Sequence, residues 1–440
     1  MSHGHESQGR LILRLSLTSG VIAALVTLLH QLGYFYGVES RWIDVMGLIH
    51  RPAPTNQVAV VTVTDADFAR EDLFASVSPM DPKTLRRTFE RIADHRPAVA
   101  ANDIQLQPVP HESGERLGER RQLYRSLASL VKTRSIQWIL LRPDPVDATL
   151  GGIDPDAQAD WSALQQLADA SPKHLWWASS VMQAEEGLIR HMSLNEPASE
   201  EQHTAPTILG AIVETRTQHE ATRSSNHPPL LIRYTGAFGF DRGTGLTPNA
   251  LSVGDLLAPE TAPKGDTILT GKTLIVGGSH HVGHDYHWTL IGYLPAVQIW
   301  AEAVDTFIRN DAPQEPHWLV SLPLETAVGI MGGWLMVRFS PMIGYALTLL
   351  ILAPLTIALA SLAFGTGLLF VNFLPSFLAV RLHQRIESWY EVRTLRHQVA
   401  DLERELRILR SAENEEPTVT GTASDEEQSQ GTTAPPKASA

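Results

Sequence analysis

Apolar residues concentrate in two places along the chain, residues 11–36 and 318–382, with a long stretch of ordinary globular composition between them. The first run, Leu11 to Phe35, follows Arg10, contains Arg14 near its start and closes on Tyr34, Phe35 and Tyr36. A long apolar run with an interfacial aromatic end predicts a transmembrane helix over 11–36. A cleaved signal peptide is the rival reading, but the run is long for one, and no small-x-small site precedes Glu39 and Arg41. The second block is too long for one crossing. Interruptions at Arg338-Phe-Ser-Pro341 and Phe364-Gly-Thr-Gly367 divide it into spans at 318–337, 342–361 and 365–382, each close to the ~20 residues a bilayer core requires.

Four crossings bring both termini to one side, and the basic residues say which. Arg10, Arg14, Arg338, Arg381, Arg385, Arg393 and Arg396 all fall on that side, so the positive-inside rule makes it cytoplasmic. The expected protein is a multi-pass component of a bacterial-type inner membrane. It has a short cytoplasmic N-terminus at 1–10 and places residues 39–316 in the periplasm or outside the cell. Glu325 is a carboxylate at membrane depth, about two helical turns from the outer end. It marks a function there or simply meets headgroups or a neighbouring helix.

Within 39–316 the strand candidates are short β-branched or apolar runs: Gln57 to Thr64, Ala98 to Ile104, Ile136 to Leu141, Leu175 to Ser179, Leu230 to Arg233 and Thr273 to Gly277. Pro82 to Ala93 and Arg121 to Lys132 carry apolar residues at helical spacing. Strands alternating with helices predict an α/β domain with a mainly parallel sheet. The Pro, Gly and acidic stretch from Asp144 to Asp160 reads as a lid-like loop, and Asn195 to Thr207 as another. No internal repeat is present.

Past the last span, Val392, Leu395, Val399, Leu402, Leu406 and Leu409 alternate three and four apart. This heptad seam predicts a short cytoplasmic coiled coil at 383–410, with Val at two a positions and Leu at every d position favouring a parallel homodimer. A single amphipathic helix is the alternative. Residues 411–440 are Glu, Thr, Ser, Gly and Pro with almost no large apolar side chains, a composition that predicts disorder.

Composition alters this picture in two ways. There is no cysteine, so disulfides, thiolate chemistry and Cys-ligated metals are excluded. The net charge of -13 and the lack of a basic, aromatic-interleaved patch argue against a nucleic-acid partner.

Asp65, Asp103 and Asp285 fall at or shortly after strand ends, where open α/β sheets build binding crevices. They are candidate ligand-binding residues, although a helix cap or turn accounts for each of them equally simply. His280, His281, His284, Asp285 and His287 crowd into one short run. His280, His284 and His287 are candidate ligands for zinc or a similar ion, but their spacing matches no standard zinc signature and a solvated loop is the plain alternative.

The order of these parts resembles the CHASE2 family of extracytoplasmic sensor domains over residues 12–382. The resemblance rests on the first span, Arg41-Trp-Ile-Asp44, Val60-Val-Thr-Val-Thr-Asp65, the Pro82 helix and Ala101-Asn-Asp103-Ile. It continues through Leu251-Ser-Val-Gly-Asp255-Leu-Leu, Leu269-Thr-Gly-Lys272-Thr-Leu-Ile-Val-Gly-Gly278, Asp285, Pro295-Ala-Val-Gln-Ile-Trp-Ala301 and the three closing spans. The chain departs from the family pattern, which usually shows a small residue and Gly around the Pro295 position and His before Ala301, where this chain has Ala296 and Trp300.

The resemblance implies a sensor topology with an undefined extracytoplasmic ligand. The family's usual cytoplasmic kinase or cyclase is not expected, because the sequence after the last span is short and carries no P-loop, GGDEF-like run or kinase glycine pattern. The expected role is therefore signal transfer through the spans and coil to a separate cytoplasmic partner, without catalysis or cofactor. A non-enzymatic envelope docking or assembly protein is the second reading. A metal-assisted hydrolase built on Asp65, Asp103, Asp285 and the histidines is the third.

Overall fold

The computed structural model describes residues 17–18, 20–26, 28–29, 36–142, 152–171, 173–196, 205–217, 229–241, 245–259, 262–283, 285–313, 318–339, 341–367 and 374–413. Its centre is a six-stranded, wholly parallel sheet built from β1 (Val58–Val63), β2 (Val99–Asn102), β3 (Gln137–Leu141), β4 (Leu175–Ala178), β5 (Ala250–Ser252) and β6 (Thr273–Gly278). The spatial order is β4-β3-β2-β6-β1-β5.

Period-2 alternation explains why these runs form strands with two buried faces. β1 sends Ala59, Val61 and Val63 into one core, and Val58 and Val60 into the other. The first core lies under the helices Pro82–Asp94, Gly114–Thr133 and Pro155–Ala170. There Phe89 meets Trp138 edge-on, ring centroids 5.9 Å apart. The second core lies under Ile208–Thr217 and Ala296–Arg309. Its buried aromatics are Tyr234, Phe238 and Trp300; Trp300 stands where the family pattern has His, and here it serves packing.

Several elements differ from the sequence reading. Leu230 to Arg233 is not a sheet strand. Leu230–Leu231 pairs antiparallel with His191–Met192 alone, because Arg233 is drawn onto the helix Ala296–Arg309, its amide donating to Thr306 Oγ1 at 3.0 Å. The edge strand is instead β5, whose Ala250, Leu251 and Ser252 align with Val60, Val61 and Thr62.

The lid-like loop from Asp144 to Asp160 is largely replaced by the helix Pro155–Ala170 over its last part. Asp154 caps that helix by accepting from the Ala157 amide at 2.9 Å, with proline in the first turn, so Asp-Pro here is a helix start. The earlier part of that stretch, 144–151, lies outside the described residues. Asn195 to Thr207 is closed at its base by the Asn195 and Pro206 bridge, and residues 197–204 are likewise outside.

Among the described residues two helices are long and apolar enough to cross a membrane, with windows at Leu319–Met336 and Met342–Gly365. The turn between them at Pro341 falls where the sequence places it. The second continues through Phe364-Gly-Thr-Gly367, where a turn was expected. Its path includes a π-helical stretch at Thr348–Leu352. Of the first predicted span, residues 17–18, 20–26, 28–29 and 36 are described, and they are helical. Close approach joins these parts: a Cβ on Gly20 would lie 2.7 Å from Ile330, and one on Gly332 would lie 2.6 Å from Val380. Small residues permit such contacts between membrane helices.

Leu374–Glu413 is one helix of 40 residues, so the expected boundary between span and coil at 382 is no break. Glu325 is buried within the helix Trp318–Phe339.

Candidate functional site

The carboxyl ends of β1, β5 and β6 meet at one edge of the sheet, and their loops are fastened together before any side chain is offered outward. After β1, Thr64 and Asp67 form a reciprocal cap. The Asp67 amide donates to Thr64 Oγ1, and the Thr64 amide to Asp67 Oδ2, each at 3.1 Å. The second Asp67 oxygen accepts from the Gly254 amide at 3.0 Å, tying β1 to the helix start after β5. A Cβ on Gly254 would stand 2.3 Å from that oxygen, which explains the glycine in Leu251-Ser-Val-Gly-Asp255. The β6 end is held by the Ser279 amide donating to the Val63 carbonyl at 2.9 Å.

On this frame Asp65 projects from the first helical turn after β1. It accepts from the His281 amide at 2.8 Å and lies 2.6 Å from His281 Nδ1. Partial burial works to raise its carboxyl, but the His281 hydrogen bonds outweigh this and hold it below the usual range. Beyond His281 the hairpin β7 (Tyr286–Thr289) and β8 (Gly292–Pro295) carries an aromatic row. His281 stacks on Tyr286 at 5.1 Å, Tyr286 on Tyr293 at 5.3 Å, and Trp288 meets Tyr293 at 5.0 Å. The Tyr286 hydroxyl donates to the Ser279 carbonyl at 2.5 Å, which fixes the row to β6.

Tyr286 is the wall between two clefts. One, of about 980 Å³, is lined by Asp65, Ser252, Asp255, His281, Tyr293 and Gln298 among others. The other, of about 510 Å³, is lined by Phe68, Met80, Asp103, His280 and Asp285 among others. The three candidate carboxylates are therefore divided, Asp65 in the larger cleft and Asp103 with Asp285 in the smaller. Burial, and then the charge of Asp285, push the Asp103 carboxyl well above its usual range. His280 is buried with its ring stacked 4.4 Å from Phe68, and burial lowers its pKa.

His287 Nε2 lies 3.2 Å from Asp285 Oδ1 near the surface, and His284 is outside the described residues. Among the described residues no group of three or more His, Asp or Glu side chains is placed to hold a metal. The sequence reading did not single out Tyr286, Tyr293, Asp255 or Gln298 as site residues. The available signal was their occurrence near strand ends, which is weak for tyrosine and glutamine.

The helix Ala296–Arg309 begins at the cleft wall, capped by Pro295, with Val297 against Gly277. It runs antiparallel to the strands, about 21 Å, to the opposite edge of the sheet. Midway, Glu302 accepts from the Thr235 amide at 2.7 Å, the Gly236 amide at 2.8 Å and the Thr235 hydroxyl. Burial raises its pKa to about 7 against those hydrogen bonds, with Asp305 adding to the rise.

At the far end Asp305 accepts from the Thr55 amide at 2.9 Å and its hydroxyl at 2.5 Å. Arg309 pairs with Asp305 and with Asp311, each at 3.2 Å. Arg233 pairs with Asp311 at 3.2 Å and donates to the His50 carbonyl at 2.8 Å. Its guanidinium lies over the Phe364 ring of the apolar helix Ala353–Gly367. His50, at the end of the helix Tyr36–Ile49, lies 2.5 Å from Ser361 Oγ. Earlier in that helix Asp44 accepts from Arg190 Nε and Nη2, each at 2.8 Å.

On the long C-terminal helix, Val392, Leu395, Val399, Leu402 and Leu406 are all exposed, and the Leu409 side chain is outside the description. The expected seam is thus an apolar stripe open to solvent.

The family model of the CHASE2 domain matches residues 21–340. No match is found among curated proteins or among solved structures.

Proposed function

Because the chain belongs to the CHASE2 family of sensory extracytoplasmic domains, we propose that it is a membrane-anchored sensor that passes a signal to a separate cytoplasmic partner. In this reading four membrane spans carry the α/β domain outside the inner membrane and keep both termini in the cytoplasm. A small extracytoplasmic ligand is received at the strand ends around Asp65, Asp103 and Asp285, and the exposed seam from Val392 to Leu409 forms a homodimeric coil. No reaction is assigned to the chain.

The observation that carries this reading is the path from cleft to membrane. One helix reaches from Pro295 at the cleft to Arg309, whose Asp311 partner also holds Arg233 against His50 and Phe364. A ligand that favours one arrangement of the hairpin shifts this rod only by its difference in affinity between arrangements. About 1.4 kcal/mol of such difference changes the ratio of two states tenfold.

The chain has no cysteine, so Leu402→Cys gives a single reporter in the seam. Its disulfide-crosslinking rate in vesicles is expected to change with the outer medium. Identical rates under every outer condition would sink the sensor reading. A pull-down with mass spectrometry then compares the intact protein with the Val399→Asp, Leu402→Asp double variant. Recovery of a cyclase, kinase or regulator only with the intact seam supports the sensor.

The exposed Trp288, Tyr293 and Val282 favour the second reading, an envelope docking protein, because grouped apolar surface marks contact sites. Envelope proteins retained by both forms would select it.

A further inference from the structure

The parallel sheet separates charge between its two edges. All six strands run the same way, so the loops that enter them share one edge and the loops that leave them share the other. The entering loops are 50–57, 95–98, 134–136, 171–174, 247–249 and 270–272. Five of these six carry one lysine or arginine each, namely Arg51, Arg96, Arg134, Lys173 and Lys272, and none carries an aspartate or glutamate. The leaving edge holds Asp65, Asp103, Asp255 and Asp285. In a chain with a net charge of -13, the entering edge is a local reversal of sign.

Most of these cations are not engaged within the domain. Arg134 pairs with Asp94 at 3.2 Å, both side chains exposed, and Asp266 is taken by His95 at 2.7 Å. Among the described residues no carboxylate is in ion-pair contact with Arg51, Arg96, Lys173 or Lys272. The first three are exposed. Lys272 is partly buried, and burial pulls its ammonium below the usual lysine value, as expected of a cation without a counter-charge.

The same edge is the one from which the chain passes to the apolar helices. The loop into β1 begins at His50, 2.5 Å from Ser361 Oγ in the helix Ala353–Gly367, and Arg233 lies over Phe364 beside it. The helix Ala296–Arg309 also ends here, with eight residues between Arg309 and Trp318. Neighbouring strands stand about 4.8 Å apart, so six of them spread the entering edge over about 24 Å.

We propose that this basic edge docks on anionic phospholipid headgroups, with Arg51, Arg96, Lys173 and Lys272 as the contacting cations. Lysine and arginine beside a bilayer are attracted to anionic lipid by charge, so no pocket is required. The attraction dies away within about 8 Å at physiological ionic strength, which confines it to the edge nearest the lipid. The assignment rests on the proposed membrane placement and deepens the sensor reading, because it turns the leaving edge and both clefts away from the bilayer.

Ser135 is exposed in the loop into β3, and because the chain has no cysteine, Ser135→Cys gives a single labelling site. The full-length protein is placed in nanodiscs of phosphatidylcholine alone or mixed with phosphatidylglycerol, and energy transfer is measured from a donor at that site to an acceptor on the headgroups. Transfer is expected to be higher in the anionic discs and to fall to the neutral-disc value as salt shortens the screening length toward about 3 Å. Arg96→Gln with Lys272→Gln should reduce the difference between discs about twofold or more. Lys83→Gln with Arg87→Gln, exposed cations on the helix Pro82–Asp94, should leave it unchanged, and thermal melts check that both variants fold. The proposal is overturned by equal transfer in the two discs, by a difference that ignores salt, or by equal losses from the two pairs of substitutions. Inorganic phosphate that abolishes the difference at constant ionic strength would also overturn it, assigning the edge to free anions.

The two readings fail separately. Lipid-dependent transfer alongside Leu402→Cys crosslinking that ignores the outer medium keeps the docking and removes the sensor. Equal transfer in both discs alongside responsive crosslinking removes the docking and keeps the sensor.

Discussion

The guanidinium of Arg233 rests 5.3 Å from the centre of the Phe364 ring, joining the α/β domain to the apolar helix Ala353–Gly367 by a cation over an aromatic face. Such a contact is worth about 0.5–2 kcal/mol depending on its desolvation, small beside the packing of either part. Phe364→Leu keeps most of the apolar volume and removes the π-face. The expected result is a loss of about 1 kcal/mol in denaturant unfolding, together with a reduced response of Leu402→Cys crosslinking to the outer medium. A response equal to that of the unaltered chain would place the contact outside the transmission path.

Glu302 makes stability depend on pH in a defined direction. Its carboxyl titrates near 4.5 when unfolded and is raised to about 7 in the folded protein. Below pH 4.5 both states hold the proton and its contribution is fully present. As pH rises toward 7 the unfolded state ionises first, so that contribution is lost, and above about 7 no further loss occurs. The span corresponds to about 3 kcal/mol at most. Glu302→Gln should flatten the pH dependence of the melting temperature between pH 4.5 and 7. An unchanged slope in that window would assign the dependence to other groups, Asp103 among them.

Asp44 and Arg190 offer a cleaner energetic test, since Arg190 is 3 % exposed and both its bonds to Asp44 are 2.8 Å. Removing one partner of a buried pair costs about 3–5 kcal/mol, much of it from the charge left unpaired. Asp44→Ala should therefore destabilise strongly, and Asp44→Leu with Arg190→Leu should recover most of the loss. Equal losses in the single and double variants would mean that the pair contributes through shape and not through charge.

Much of this architecture was legible because strands buried on two faces leave nearly continuous apolar runs, as Val58–Val63 and Thr273–Gly278 do. Ala250–Ser252 escaped because three residues leave no periodic signal, and it is a strand only through its pairing with β1. Leu230 to Arg233 misled for the opposite reason, its local propensity being overridden by the tertiary hold on Arg233. At the site, Asp65 was legible as a carboxylate after a strand. The division of the carboxylates between two clefts was not, because it depends on where a hairpin folded from 286–295 places Tyr286.

The helix Leu374–Glu413 runs 40 residues without a break, a rod of about 60 Å. Along such a rod each residue advances the side chains by about 100°, so the azimuth of the exposed apolar stripe is locked to that of the segment around Val380, which packs on Gly332. Inserting one residue between these points would swing the stripe of Val399 and Leu402 through more than a quarter turn. Inserting seven would return it to within about 20°. What one end of this helix hands to the other is thus a bearing as well as a position, and chain length in this stretch sets the phase in which it is read.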